Sequence, residues 1–255
     1  MALTRRDVAD DVVTLTIDRP EKRNALSKET LDELAAHLDE LAAEPIHKAL
    51  VVTGEGETHF ASGGDLVELS ALRTEAEAEA MARRVRGVLD RIRAHPVPTV
   101  AALNGDALGG GAELALAFDF RVAASHARIG YIQGRQAITS AWGGGPDLID
   151  RVGPSTALRL MTTTELLDAH AAERLGLVDH VAHTGHSVTE ATAEWLAPML
   201  ERQVQVLRTY KALTAAARAG AHRDELESIE LAHFTTNWVH PDHWDALDAF
   251  LHRKR

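Results

Sequence analysis

The hydrophobic pattern changes character along the chain. Val12-Val13-Thr14-Leu15-Thr16-Ile17 is short and β-branched and predicts a strand, which Asp18-Arg19-Pro20 ends. Leu31, Leu34, Ala35, Leu38 and Leu41 recur at helical spacing, with Ser27 as N-cap. The continuous apolar run Ala49-Leu50-Val51-Val52 predicts a buried parallel strand, stopped by Gly54 and Gly56. A polar helix is expected over Glu75 to Arg93, broken by Pro96 and Pro98. Thr99 to Leu103 reads as a second buried strand, Asn104 to Gly111 as a glycine-rich loop, and Ala112 to Ala117 as a helix. A strand at Phe120–Ala123, helices at Ser155–Met161 and Ala169–Gly176, and a short strand near Leu177–Val181 follow. From about Val188 the pattern is helical throughout. Strands and helices mix early and helices stand alone late, which predicts an α/β core with a C-terminal helical extension.

Composition narrows the function. The 255 residues carry 27 Lys+Arg against 38 Asp+Glu, a formal charge of −11. Phosphate backbones and anionic lipid surfaces call for basic stripes, so neither nucleic acid nor a membrane surface is an expected partner. No apolar run approaches the roughly 18 residues of a membrane span. Met1 to Asp11 is charged with no apolar stretch behind it, so no signal peptide is read there and a cytoplasmic protein is expected. With no cysteine, disulfides, thiolate nucleophiles and thiolate metal sites are excluded. The 14 histidines, against 2 tyrosines and 5 phenylalanines, invite a metal or proton-transfer reading.

Two glycine loops carry the strongest chemical signal. They are Phe60-Ala61-Ser62-Gly63-Gly64-Asp65-Leu66 and Asn104-Gly105-Asp106-Ala107-Leu108-Gly109-Gly110-Gly111-Ala112-Glu113-Leu114, each following a strand and opening a helix. Neither is a dinucleotide fingerprint or a P-loop, and no G-x-S-x-G elbow is present. Glycine lets a ligand approach the unpaired amides at a helix N-terminus. Two such loops face to face would offer two N–H donors to one oxygen, an oxyanion hole for a carbonyl gaining negative charge. Glu113, three residues after Gly110, shares its helix face and would place a base beside that carbonyl.

With these loops in place the chain resembles the crotonase (enoyl-CoA hydratase/isomerase) superfamily. The resemblance starts at Leu15-Thr16-Ile17-Asp18-Arg19-Pro20-Glu21-Lys22-Arg23-Asn24-Ala25-Leu26. It continues through Val51-Val52-Thr53-Gly54, both loops and Leu175-Gly176-Leu177-Val178, and ends at Ala249-Phe250-Leu251. It implies a crotonase-like spiral of repeated β-β-α units over residues 1–190 and a helical trimerisation region over 191–255. It also implies a homotrimer or dimer of trimers, an acyl-CoA thioester substrate, and no cofactor beyond the coenzyme A of that substrate. By position, the amides of Gly64 and Gly110 form the oxyanion hole, and Lys22, Arg23, Ala25, Ser62, Asp65 and Leu66 line the CoA path. Trp142 is expected either to wall the acyl pocket or simply to pack against the core, the commoner fate of a tryptophan.

Hydratases of the family use two glutamates. The first matches Glu113. The second matches Gln133, which can hold water but cannot exchange a proton. Three readings follow: a hydratase or isomerase with an altered acid–base pair, a malonyl-type acyl-CoA decarboxylase, and a non-catalytic acyl-CoA-binding relative. The segment Ile138-Thr139-Ser140-Ala141-Trp142-Gly143-Gly144-Gly145 resembles that of decarboxylase-like members. If residues 131–135 are extended, Tyr131, Gln133 and Arg135 point to one side, and Arg135 would reach a substrate carboxylate; a surface ion pair is the plainer reading of it. His180, His183 and His186 have the wrong spacing for a helical metal site, and no metal is expected. His222, His233, His240, His243 and His252 fall in the helical tail. Asp65 is also expected to cap the helix after the first loop.

Overall fold

The computed structural model describes residues 2–43 and 46–253. Two sheets form the core. The larger has six strands in the order β1 (Thr4–Ala9), β2 (Val12–Ile17), β3 (Ala49–Gly54), β5 (Thr99–Leu103), β7 (Phe120–Ala123) and β10 (His180–Val181). Only β1 and β2 pair antiparallel in it. The smaller has β4 (His59–Ala61), β6 (Asp106–Leu108), β8 (Arg128–Gly130) and β9 (Leu167–Asp168). Successive turns of chain give one strand to each sheet and then a helix. β3 and β4 lead through α2 (Leu66–Leu69) to α3 (Glu75–Arg93), β5 and β6 to α4 (Gly110–Ala117), and β7 and β8 to α5 (Gly144–Thr163). This is the expected spiral of β-β-α units.

The elements follow their local chemistry. α1 (Lys28–Ala43) starts where the Ser27 hydroxyl accepts the Thr30 N–H at 3.1 Å, and it buries Leu31, Leu34, Leu38 and Leu41. α3 opens with a Thr74–Glu77 capping box and buries Val85, Val88, Leu89 and Ile92. The central strands β3 and β5 are apolar and buried on both faces, as parallel strands covered by helices must be.

Several expectations are corrected. β1 was not predicted, because its charged residues mask an edge strand. The stretch 104–111 is not all loop: Asp106–Leu108 is a strand. The helix expected at Ser155–Met161 is the second half of α5, which starts at Gly144 and kinks at Gly153 before Pro154. The strand expected near Leu177–Val181 is reduced to β10. Residues 133–136 form a 3₁₀ turn rather than extended chain, so Tyr131, Gln133 and Arg135 do not share a side.

After α6 (Ala169–Arg174) and β10 come α7 (Val188–Leu200), α8 (Val204–Arg218), α9 (Arg223–Trp238) and α10 (Pro241–Arg253). α8 is locked to the core. The buried Lys211 ammonium lies 2.6 Å from both Asp119 carboxylate oxygens. Arg218 donates to the Ala117 and Leu116 carbonyls at the end of α4 and pairs with Asp147 at 2.8 Å. α9 buries no residue, and with α10 it exposes Leu231, Phe234, Trp238 and Trp244. No described helix is long and apolar enough to cross a membrane.

Candidate active site

The segment after β2 and the loop after β4 are tied together strand-like. Leu26 N–H donates to the Gly63 carbonyl at 2.8 Å, Asp65 N–H to Leu26 at 3.2 Å, and Ser62 N–H to Arg23 at 3.2 Å. In such a parallel bridge the bonds run through the neighbours of Gly64, and its own amide is left outside the ladder. The Arg19 guanidinium closes the junction, donating to the Ala25 carbonyl at 2.6 Å and pairing with Asp65 at 2.9 Å. Asp65 also caps α2 by accepting the Val67 N–H at 3.1 Å, and the Arg19 hydrogen bond chiefly holds its carboxyl below the usual range. Arg23, Ala25, Ser62 and Asp65 are thus brought together, with Lys22 and Leu66 exposed at the rim. Asn24, which the sequence reading did not single out, ties the turn to the Glu55 and His59 carbonyls.

α4 faces this junction. Gly63 adopts φ +94, and a Cβ there would stand 3.1 Å from the Gly110 nitrogen. Gly110 opens α4, where an amide has no intrahelical acceptor. The Trp142 indole lies across both glycines. A Cβ on Gly110 would meet its Cζ3 at 2.0 Å, and one on Gly64 its Cη2 at 3.4 Å. Trp142 as a whole is only 6% exposed. Its Nε1–H donates to Met81 Sδ at 3.3 Å, a contact the sequence reading missed. The signal for it was the stripe Met81, Val85, Val88, Ile92, at helical spacing on α3.

Every residue of α4 is buried, and Glu113 is its single charged side chain, 2% exposed. Glu113 Oε2 accepts the backbone N–H groups of Trp142 at 2.9 Å and Gly144 at 3.1 Å. Oε1 accepts the Gln133 side-chain amide at 2.9 Å. Burial pushes its pKa up, and these three donors pull against that shift. The carboxylate sits in the first turn of α4 and against the first residues of α5, where both helix dipoles favour negative charge. The Tyr131 hydroxyl donates to the Gly144 carbonyl at 2.7 Å and fixes the approach to α5. Its pKa is raised well above 10 by burial first and by Glu113 next.

Arg135 is not part of this arrangement. It donates to the Thr164 carbonyl at 2.7 Å on the surface. His180, His183 and His186 form edge-on ring contacts at 6.5 and 5.9 Å, and among the described residues no three His, Asp or Glu side chains converge as metal ligands.

The sequence profile of the family described as enoyl-CoA hydratase/isomerase matches residues 7–255. The crotonyl-CoA hydratase of Syntrophomonas wolfei is 33% identical over 248 residues, 96% of this chain and 94% of that one. The ethylmalonyl-CoA decarboxylase of Danio rerio is 32% identical over 92% of this chain and 79% of its own. A crystal structure of an enoyl-CoA hydratase from Bacillus anthracis superposes with TM-score 0.91 at 28% identity, covering 98% of this chain and 96% of that one.

Proposed function

The chain belongs to the enoyl-CoA hydratase/isomerase family and is an enzyme of that type, and on that premise we propose that it moves a double bond in an acyl-CoA thioester. In this reading the thioester oxygen is received by the Gly64 and Gly110 amides, Glu113 is the one proton-transfer group, and Gln133 positions it. The carrying observation is the Glu113 carboxylate, buried beside Gly110 and held by three N–H donors. Ionised Glu113 takes a proton from carbon, the C–H electron pair moves through the conjugated system onto the thioester oxygen as an enolate, and the two amides stabilise that charge. The same carboxyl then returns the proton at the other end of the allylic system. Isomerisation therefore needs one carboxyl group. Addition of water uses two in the family, and Gln133 cannot be the second.

A specific observation favours a second reading. Loss of carbon dioxide creates the enolate without a base, which suits a site holding glutamine at position 133, and the 32% identical Danio rerio relative is an ethylmalonyl-CoA decarboxylase. Incubation with a 3-enoyl-CoA, crotonyl-CoA and methylmalonyl-CoA separates the two. We expect conversion of the 3-enoyl thioester to outrun hydration of crotonyl-CoA. Faster carbon dioxide release would establish the second reading, and turnover of none, with the thioesters bound, would overturn catalysis on these substrates.

Residues 191–255 serve assembly in this proposal. The apolar side chains exposed on α9 and α10 suit a homotrimer or a dimer of trimers, which light scattering on the pure protein tests. The chemistry uses no cofactor besides substrate coenzyme A.

A further inference from the structure

A cleft of about 1060 Å³ opens between α1 and α3, large enough for a drug-sized ligand. Its walls include Leu31, Leu72, Ala80, Met81 and Val85, and both Gly64 and Trp142 line it. Among the described residues neither Glu113 nor Gln133 does. Trp142 thus turns its ring to the cleft and its backbone amide to Glu113. The Nε1–Met81 contact, from the other wall, fixes the ring plane. The lining carries five carboxylates, Glu29, Asp32, Glu33, Glu68 and Glu77, against two cations. A free substrate carboxylate is repelled there, and a neutral chain is not.

Resting on the acyl-CoA reading above, we propose that Trp142 is a specificity-determining residue that admits neutral acyl groups unbranched at Cα and directs their tails into the cleft between α1 and α3. A thioester held at the Gly64 and Gly110 amides has its first carbons at the edge of the indole, with the carboxylate to one side and the cleft to the other. A linear chain passes that edge. A second substituent on Cα meets the ring, which is clamped between two backbone segments and Met81 and has no slack to yield.

Octanoyl-CoA and 2-ethylhexanoyl-CoA are isomers differing only in branching, and binding can be read by calorimetry without turnover. Wild type should bind the linear isomer about tenfold tighter or better, the scale at which hydrophobic pockets discriminate by shape. Trp142→Ala should shrink the preference to roughly threefold or less while free CoA binds as before. Trp142→Leu keeps the core filled and replaces it if the alanine variant does not fold. Leu72→Trp, which narrows the cleft, should weaken octanoyl-CoA about tenfold relative to acetyl-CoA. Equal binding of the isomers by wild type, or an undiminished preference in a folded Trp142 variant, overturns the proposal. Failure of CoA and all its thioesters to bind would instead overturn the acyl-CoA reading beneath it.

Discussion

The Gln133 side-chain amide donates to Glu113 Oε1 at 2.9 Å, so the residue standing where a second acid is expected serves as a hydrogen-bond partner of the first. A glutamate there would set two carboxyl groups at that distance, and they would share a proton. Gln133→Glu is therefore expected to raise hydration of crotonyl-CoA by about 10²-fold or more, the scale of general acid–base catalysis. The rate of water addition checks this. No gain in a folded variant would remove position 133 from the chemistry.

In the proposed reaction Glu113 acts as a base only when ionised. Burial raises its pKa above the ordinary 4.5, so turnover should fall as pH drops through a value higher than that of a free carboxylate. Gln133→Leu removes one donor that holds the pKa down and should move this acid limb to still higher pH. Glu113→Gln should cost about 10²–10⁴ in kcat and abolish the limb. The pH profile of kcat separates this from a merely structural role, which would leave the limb in place.

Gly110 is required by contact rather than by backbone conformation. An alanine Cβ would meet Trp142 Cζ3 at 2.0 Å, so Gly110→Ala must displace the indole. Overpacking of this kind costs roughly 1–3 kcal/mol. Trp142→Ala alone should cost about 3–5 kcal/mol. Urea unfolding of the double variant should show it more stable than the sum of the single losses implies, because the clash no longer exists. Strict additivity would contradict the contact.

His47 and His95 share a buried Nε2–Nε2 hydrogen bond of 2.9 Å. Burial first, and then the charge of His47, lower the His95 pKa from 6.5 to about 3. Below pH 6.5 the unfolded chain takes up a proton that the folded chain refuses. Stability from this group is present above 6.5 and is lost as pH falls toward 3, at up to about 1.4 kcal/mol per pH unit. The His47 pKa is lowered too, chiefly by burial, and adds in the same direction. Urea titrations at pH 7.5, 6 and 5 should show this slope, and replacing both histidines by leucine should flatten it.

Long elements were legible because each repeats its signal. The apolar spacing of α1, the bounds of α3 and the strands β3 and β5 could be read directly. The smaller sheet could not: β4, β6, β8 and β9 are two or three residues long, too short for alternation to register. At the site, Glu113 stood out by its distance from Gly110, and Gln133 by resemblance. The Trp142 contact with Gly64, Gly110 and Met81 joins residues 32 to 78 positions apart: the helical stripe on α3 marks Met81 as inward-facing, but no local pattern names Trp142 as its partner. The histidines drew attention by number alone, and the buried His47–His95 pair lies outside the cluster that looked most like chemistry.

Arg218 gives the tail a part in the first half of the molecule. It donates to the carbonyls that end α4, the helix presenting Gly110 and Glu113, from about a hundred residues downstream. During synthesis those carbonyls stay without this partner until residue 218 has left the ribosome. The helix that carries the Glu113 carboxylate thus reaches its finished state only after α8 has been made, and a chain cut off after α7 would leave it incomplete although every residue lining the proposed site had already been made.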